Sequence, residues 1–196
     1  MSVWQYGLTV EWVITPKNTM HPEKQQSPMK NIILIGMPGA GKSTVGVILA
    51  KMLGMTFVDT DIAIQERAGR LLQEIINMDG PDAFLAIEEK TILSLHYHHC
   101  VIATGGSVVF SKTAMDWLKQ DSVIVYLKIS CEDMIKRLRN ITTRGVVLIP
   151  GQSLPAMYHQ RVPLYEQYAD ITIDCADEDF EEVVGKVIRE LAVKKF

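Results

Sequence analysis

The chain has 196 residues, of which 47% are hydrophobic and 22% are charged, and 20 basic and 23 acidic side chains give it a net charge of −3. A chain of this length holds a core without disulfides or a structural metal, and its weak negative charge argues against a nucleic-acid partner. No apolar run reaches the roughly 18 residues of a membrane span. The three cysteines follow no C-x-x-C spacing. We therefore expect free thiols, a cytoplasmic location and chemistry on small molecules.

Residues 1–28 differ in composition from the rest of the chain. They hold three of the eight prolines and two of the three tryptophans, and residues 15–28 have the composition of a solvated linker. They lack the basic start, the continuous apolar stretch and the cleavage site of a signal peptide. We predict a flexible N-terminal extension over residues 1–28 and a single domain over residues 29–196. A docking arm for a partner is the alternative interpretation of the extension.

From residue 30 onward, short apolar runs alternate with stretches of helical pattern. The pattern predicts strands at residues 31–35, 56–58, 100–103, 123–127 and 171–173. It predicts helices at residues 42–53, 111–118, 131–138, 154–168 and 179–193, and a helical region over 62–96 interrupted near Gly69 and Gly80. Apolar strands separated by helices favour a parallel sheet covered on both faces, and so a three-layer α/β/α domain.

A phosphate-binding motif follows the first predicted strand. Residues 36–44 fit the pattern G-x-x-x-x-G-K-[ST], with a strand before them and a helix after them. In such a P-loop, backbone N–H groups and the helix N-terminus bind phosphate oxygens, Lys42 reaches the β- and γ-phosphates, and Ser43 ligates Mg²⁺. The predicted nucleotide-binding residues are Gly36, Gly39, Ala40, Gly41, Lys42, Ser43 and Thr44. We expect the chain to bind ATP and Mg²⁺.

Two other classes of P-loop protein are disfavoured. A regulatory GTPase carries an N-K-x-D motif that reads guanine, and this sequence contains none. A transport ATPase has a long apolar strand that ends in Asp, whereas the third predicted strand runs into Thr104, Gly105 and Gly106. A kinase of small molecules or nucleotides is therefore the favoured class at this chain length.

A second set of motifs follows the second and third predicted strands and enters a late helix. Residues 59–61 read D-T-D, Gly105 and Gly106 form a glycine loop, and residues 161–165 read R-V-P-L-Y. These motifs resemble those of the shikimate kinase family, and the resemblance extends from about residue 30 to the last helix. It implies a five-stranded parallel sheet in the order 2-3-1-4-5, with a mobile lid over residues 139–151. It also implies transfer of a phosphoryl group from ATP to a small hydroxylated acid, with shikimate as the first choice.

The resemblance implies roles for individual side chains. Asp59 would hold Mg²⁺ through water, and Asp61 would bind the acceptor hydroxyl and take its proton, at the strand end where open α/β sheets bind ligands. Arg137 would stack on adenine, Arg144 would close with the lid onto the transferred phosphoryl group, and Arg161 would bind the acceptor. The catalytic residues implied are Lys42, Asp61 and Arg144, and the acceptor site comprises Asp61, Gly105, Gly106, Arg161, Leu85 and Glu88.

Simpler structural explanations exist for these side chains. Asp61 is also a suitable helix N-cap. Arg137 and Arg144 are also suited to a solvated helix end and a solvated loop, and Arg161 to a surface ion pair. These alternatives stay open at the level of the sequence.

The acceptor half departs from the family pattern. An F-R-x-x-E element of the family, which carries a second substrate arginine, reads F-L-A-I-E over residues 84–88, so Leu85 stands at the arginine position. Losing one charge-assisted contact predicts an acceptor affinity lower by about ten- to a hundredfold. The third glycine of the glycine loop is Ser107, and the proline after the lid arginine is Gly145. The alternatives are therefore a kinase of the same fold with a different small hydroxylated acceptor, and a catalytically silent ATP-binding module. We expect a monomer with no nucleic-acid or membrane partner.

Overall fold

The computed structural model describes residues 30–139, 146–148, 151–176 and 178–194, so the predicted extension and most of the predicted lid lie outside the described residues. The strands are β1 (Asn31–Ile35), β2 (Thr56–Asp59), β3 (Cys100–Ala103), β4 (Ser122–Lys128) and β5 (Ile171–Asp174). The helices are α1 (Lys42–Leu53), α2 (Thr60–Ala68), α3 (Leu72–Asp79), α4 (Pro81–Leu93), α5 (Lys112–Lys119), α6 (Cys131–Arg139), α7 (Leu154–Tyr168) and α8 (Phe180–Val193). A single 3-10 turn at Val108–Phe110 precedes α5.

The five strands form one parallel sheet in the order β2-β3-β1-β4-β5, which confirms the expected fold. The central strand β1 pairs with β3 and β4, where Ile33 lies between Ile102 and Ile124. Ile33 is 1% exposed, and its neighbours in β1 are also buried. Burial on both faces explains why β1 is a continuous apolar run and not an alternating one. All carboxyl ends meet at one edge, where the loops after β1, β2 and β3 come together.

The predicted helical region over 62–96 is three helices, and it ends earlier than predicted. The interruptions at Gly69 and Gly80 are confirmed, since both glycines have positive φ angles, of 64° and 86°. The last of the three helices ends at Leu93, and the residues up to 99 form a loop. The Asn31 side chain donates to the carbonyl of Tyr97 at 2.7 Å and accepts from the N–H of Cys100 at 3.0 Å. These contacts direct the chain from the loop into β3. The helical periodicity did not indicate this loop.

The three cysteines in the sequence are free in the structure, as expected. Within the described residues, none of the helices combines the length and the apolar character of a transmembrane span.

The first helix packs directly on the sheet at a glycine. A Cβ atom on Gly46 would lie 2.5 Å from Cε2 of Phe57 in β2 and 3.3 Å from Cδ1 of Leu34 in β1. These distances are too short for a methyl group, so the lack of a side chain at residue 46 sets how closely α1 approaches the sheet. This approach fixes the start of α1, which follows the P-loop.

Gly46→Ala should therefore lower the free energy of unfolding by about 1–3 kcal/mol through overpacking. Gly185→Ala is a matched control, because Gly185 lies inside α8 and its added Cβ would meet only Nη1 of Arg189 at 3.5 Å. That control should stabilise the protein by about 0.5–1 kcal/mol through helix propensity. Urea denaturation of the two variants measures both effects. An equal change in the free energy of unfolding in the two variants would contradict the packing argument.

Candidate active site

The P-loop encloses the ammonium group of Lys42. Lys42 is 9% exposed, and its Nζ donates to the carbonyls of Gly36 at 2.8 Å and Met37 at 2.9 Å. Gly39 and Gly41 have φ angles of 81° and 88°, which lie in the left-handed region that favours glycine. The loop thus holds a buried positive charge beside the N-terminus of α1, as a phosphate-binding site requires.

Asp59 links the P-loop helix to the helix after β2. Its Oδ2 accepts a hydrogen bond from Oγ of Ser43 at 2.6 Å, and its Oδ1 accepts one from the backbone N–H of Asp61 at 2.9 Å. Asp59 is therefore the N-cap of α2, so the capping explanation belongs to Asp59 and not to Asp61. A hydroxyl and a carboxylate are the hard oxygen ligands that suit Mg²⁺, which uses few protein groups and keeps several waters. Ser43 and Asp59 fit such a metal.

Asp61 faces the glycine loop across the cavity that also contains Lys42. A Cβ atom on Gly105 would lie 3.1 Å from Oδ1 of Asp61. The cavity is lined by Lys42, Ser43, Asp61, Gly105 and Gly106, among other residues. The structure therefore brings the phosphate-side lysine and the predicted acceptor-side carboxylate to one cavity.

The glycine loop lies between the P-loop and α7. A Cβ atom on Gly106 would lie 2.8 Å from Cδ of Pro38 in the P-loop and 3.2 Å from Nη1 of Arg161 in α7. The hydroxyl of Tyr165 donates to the carbonyl of Gly106 at 2.5 Å. Sequence reasoning assigned no role to Tyr165, although its place four residues after Arg161 puts both side chains on one helix face. Tyr165 therefore fixes the loop that Arg161 borders.

Arg161 is buried, which contradicts the surface ion pair considered for it. It is 2% exposed, its Nη2 donates to the carbonyl of Val147 at 2.6 Å, and its Cζ lies 5.2 Å from the ring centroid of Phe110. Its Nε has no hydrogen-bond partner among the described residues. A buried guanidinium with unused donor capacity next to the glycine loop is suited to bind an anionic group.

Glu88 is a second buried carboxyl group beside the glycine loop. It is 2% exposed, and its Oε2 accepts a hydrogen bond from Oγ of Ser107 at 2.7 Å. Burial raises the pKa of Glu88 from its ordinary value of 4.5 to about 7, aided by the nearby charge of Asp61 and opposed by Ser107, Arg161 and Lys42. The carboxyl group of Glu88 therefore titrates near neutral pH.

Leu85 lies apart from this polar group. It is half-buried and packs against the apolar cluster that includes Ile64, Phe84 and Val147. In the described part of the chain, the neighbouring Phe84 lines the cavity and Leu85 does not. The side chain at the position of the family's second arginine thus supports the packing of α4 and contributes no charge to the acceptor site.

Two further side chains flank the P-loop. Nη1 of Arg137 donates to the carbonyl of Gly39 at 3.2 Å, so the predicted adenine-side arginine does lie beside the loop. Phe180 is 44% exposed, and its Cε1 lies 2.7 Å from where a Cβ atom on Gly41 would be. Sequence reasoning did not single out Phe180; an aromatic residue at the start of the last helix was the available signal.

Thr44, a predicted nucleotide-binding residue, lies on the exposed face of α1. Arg144 and Gly145 lie outside the described residues.

The fold and this cavity together define a P-loop kinase that acts on a small acceptor. The family model for shikimate kinase matches residues 38–192. A shikimate kinase of Thermodesulfovibrio yellowstonii is 41% identical over 165 residues, which cover 83% of this chain and 95% of that protein. One from Actinobacillus pleuropneumoniae serotype 5b is 38% identical with the same coverage.

Solved structures agree with the sequence relatives. A shikimate kinase from Acinetobacter baumannii in complex with shikimate matches with a TM-score of 0.79 at 30% identity, and the match covers 86% of this chain and 96% of that one. The enzyme from Aquifex aeolicus matches with a TM-score of 0.72 at 28% identity, over 85% and 98% of the two chains. The chain belongs to the shikimate kinase family.

The raised pKa of Glu88 predicts a pH-dependent loss of stability. Between pH 4.5 and about 7 the folded protein keeps a proton on Glu88 that the unfolded chain releases, so the free energy of unfolding falls as the pH rises. The shift corresponds to about 3 kcal/mol. Glu88→Gln should remove this part of the pH dependence, and denaturant unfolding of both proteins at pH 4.5, 6 and 8 measures it. Parallel pH profiles of the two proteins would refute the titration of Glu88.

Proposed function

We propose that the protein transfers the γ-phosphoryl group of ATP to a hydroxyl group of shikimate. The observation that carries this proposal is the shared cavity, in which Lys42 lies on the phosphate side and Asp61 on the acceptor side. Ser43 and Asp59 lie next to it as oxygen ligands. Similarity to proteins named shikimate kinase, one of them solved with shikimate, supports the choice of acceptor.

Phosphoryl transfer requires positioning and neutralisation of negative charge more than covalent chemistry. In the proposed reaction Asp61 accepts a hydrogen bond from the attacking hydroxyl and then takes its proton. Lys42 binds the β- and γ-phosphates. Mg²⁺, when held by Ser43 and through water by Asp59, supplies further positive charge to the phosphates. Arg144 of the predicted lid would add a positive charge to the transferred group and exclude water as a competing acceptor.

The acceptor carboxylate is assigned to Arg161. Its guanidinium is buried next to the glycine loop, where it donates to the carbonyl of Val147 and lies over the ring of Phe110. A carboxylate would offer that guanidinium a charged partner in a site of low dielectric constant. Adenine would lie at Arg137, beside the carbonyl of Gly39. A monomeric state and a cytoplasmic location stay predictions from the sequence.

The two alternatives are not favoured. Relatives of 36–41% identity that cover 83% of the chain are named shikimate kinase, which argues against a different acceptor despite Leu85. A module that only binds ATP has no use for a carboxylate on the acceptor side, and Asp61 lines the same cavity as Lys42.

A coupled assay of ADP release over shikimate, quinate, homoserine, gluconate and simple polyols tests the proposed acceptor. We expect turnover with shikimate that exceeds turnover with each of the others. Turnover of another acceptor without turnover of shikimate would overturn the proposal, and ATP binding in calorimetry without any turnover would revive the silent module.

Asp61→Asn should lower kcat by about a hundredfold or more while the KM for ATP changes little, because the amide binds the hydroxyl but takes no proton. Asp82→Asn is the matched control, since Asp82 also lies in the first turn of a helix but is exposed. Steady-state kinetics of both variants measures the difference. A kcat of Asp61→Asn within about threefold of the parent value would remove Asp61 from the catalytic role.

Leu85→Arg should lower the KM for shikimate by about tenfold, if the arginine leaves the apolar cluster and reaches the acceptor carboxylate. Leu85→Met keeps the volume without the charge and should leave the KM unchanged. The same coupled assay compares the two variants. An unchanged KM in Leu85→Arg would count against a missing charge at residue 85.

A further inference from the structure

Ser107 of the cavity wall forms a polar pair with Glu88, a buried residue that does not itself line the cavity, and the family pattern does not predict this pair. Ser107 and Glu88 are 3% and 2% exposed, and the serine hydroxyl donates to Oε2 of the carboxyl group at 2.7 Å. Ser107 lines the cavity that holds Lys42 and Asp61. Because residue 107 stands where the family pattern has a third glycine, this hydroxyl distinguishes the chain from that pattern.

The second oxygen of Glu88 lies against the glycine loop. Oε1 is buried and has no hydrogen-bond partner within the described ranges. Oε1 faces Gly105 so closely that a Cβ atom added to Gly105 would overlap it. That added Cβ atom would also lie 3.1 Å from Oδ1 of Asp61. Two carboxyl oxygens thus face one glycine of the cavity wall. A buried carboxyl oxygen without a partner is costly, and an acceptor hydroxyl next to Gly105 would supply the missing hydrogen bond.

The packing of Leu85 explains why the hydroxyl of Ser107 matters in this chain. Residues three apart on a helix are neighbours, so a cation at residue 85 would lie on the same face of α4 as Glu88. Leu85 instead packs in the apolar cluster with Val147. Among the described residues Glu88 forms no salt bridge, and the hydroxyl of Ser107 donates a hydrogen bond to it.

We infer that Ser107 is a positioning residue for the acceptor. Its hydrogen bond to Oε2 orients the Glu88 carboxylate so that Oε1 accepts a hydrogen bond from an acceptor hydroxyl, separate from the hydroxyl at Asp61. Ser107 thereby performs, from the glycine loop, the orienting task that a cation at residue 85 would perform from α4. This inference rests on the proposed function for the identity of the acceptor.

Ser107→Ala and Ser107→Gly test the inference by steady-state kinetics with shikimate. Each should raise the KM for shikimate by about tenfold, while kcat and the KM for ATP stay within about twofold, because the hydrogen bond orients a binding group and takes no part in the chemistry. The glycine variant restores the residue of the family pattern and so guards against a packing defect of the alanine variant. A KM within twofold of the parent value in both variants would overturn the inference.

Ser111→Ala is the matched control. Ser111 also donates to a glutamate of α4, Glu89 Oε2 at 2.5 Å, and it caps α5 through the N–H of Ala114. Its loss should lower stability and leave the KM for shikimate unchanged. An equal rise of KM in the Ser107 and Ser111 variants would assign the effect to general destabilisation and would also overturn the inference.

A double-mutant cycle tests whether Ser107 substitutes for a cation at residue 85. In the Leu85→Arg background, Ser107→Ala should raise the KM by less than about threefold, because the arginine then orients Glu88. The same tenfold rise in both backgrounds would show that the two positions act independently, against the inference.

Failure of the proposed function is distinguishable from failure of this inference. If the parent protein does not turn over shikimate, the proposed acceptor is wrong, and the Ser107 contact is then judged by denaturant unfolding at pH 8. In the parent protein, Ser107→Ala should raise the equilibrium constant of unfolding about tenfold. In the Glu88→Leu background, the same substitution should raise it by less than about threefold. Equal effects in the two backgrounds would overturn the contact itself.

Discussion

The two hydrogen bonds of the Asp59 carboxylate hold the site together. One oxygen accepts from Ser43 at the start of α1, and the other accepts from the N–H of Asp61 at the start of α2. The carboxyl edge of the parallel sheet makes this possible, since β1 and β2 end at the same edge on either side of β3. The P-loop helix and Asp61, the proposed acceptor-side carboxylate, are therefore positioned by one side chain, and a shift of either helix would disturb both.

Close backbone approach is the second requirement of the site. The glycine loop fits between Pro38 of the P-loop and Arg161 of α7 because Gly106 has no side chain, and Gly105 leaves room for Glu88 and Asp61 in the same way. Tyr165 holds the loop through the Gly106 carbonyl. The absence of side chains at these two glycines thus lets the P-loop, the glycine loop and α7 lie close together, and the next residue, Ser107, bonds Glu88 through its hydroxyl.

Buried charge dominates the electrostatics of the site. Lys42, Glu88 and Arg161 are all nearly inaccessible to water, and burial of a charge is costly unless it is paired. Glu88 responds by titrating near pH 7, while Lys42 and Arg161 bind backbone carbonyls. A site of this kind favours ligands that bring compensating groups: phosphate and carboxylate for the cations, and a hydroxyl for the carboxyl oxygen.

The sequence by itself determined the local features: the P-loop, the D-T-D pair, the approximate bounds of the strands and most helices, and the mild charge of a small-molecule enzyme. These follow from short-range patterns and turn chemistry, although periodicity alone did not give the strand order, which came from resemblance. Only the tertiary structure decided that Arg161 is buried, that Asp59 caps α2, that Leu85 packs among apolar side chains and that Ser107 bonds Glu88. The last contact joins residues 19 positions apart on different elements, and such contacts depend on how helices pack on a sheet, which local periodicity does not encode.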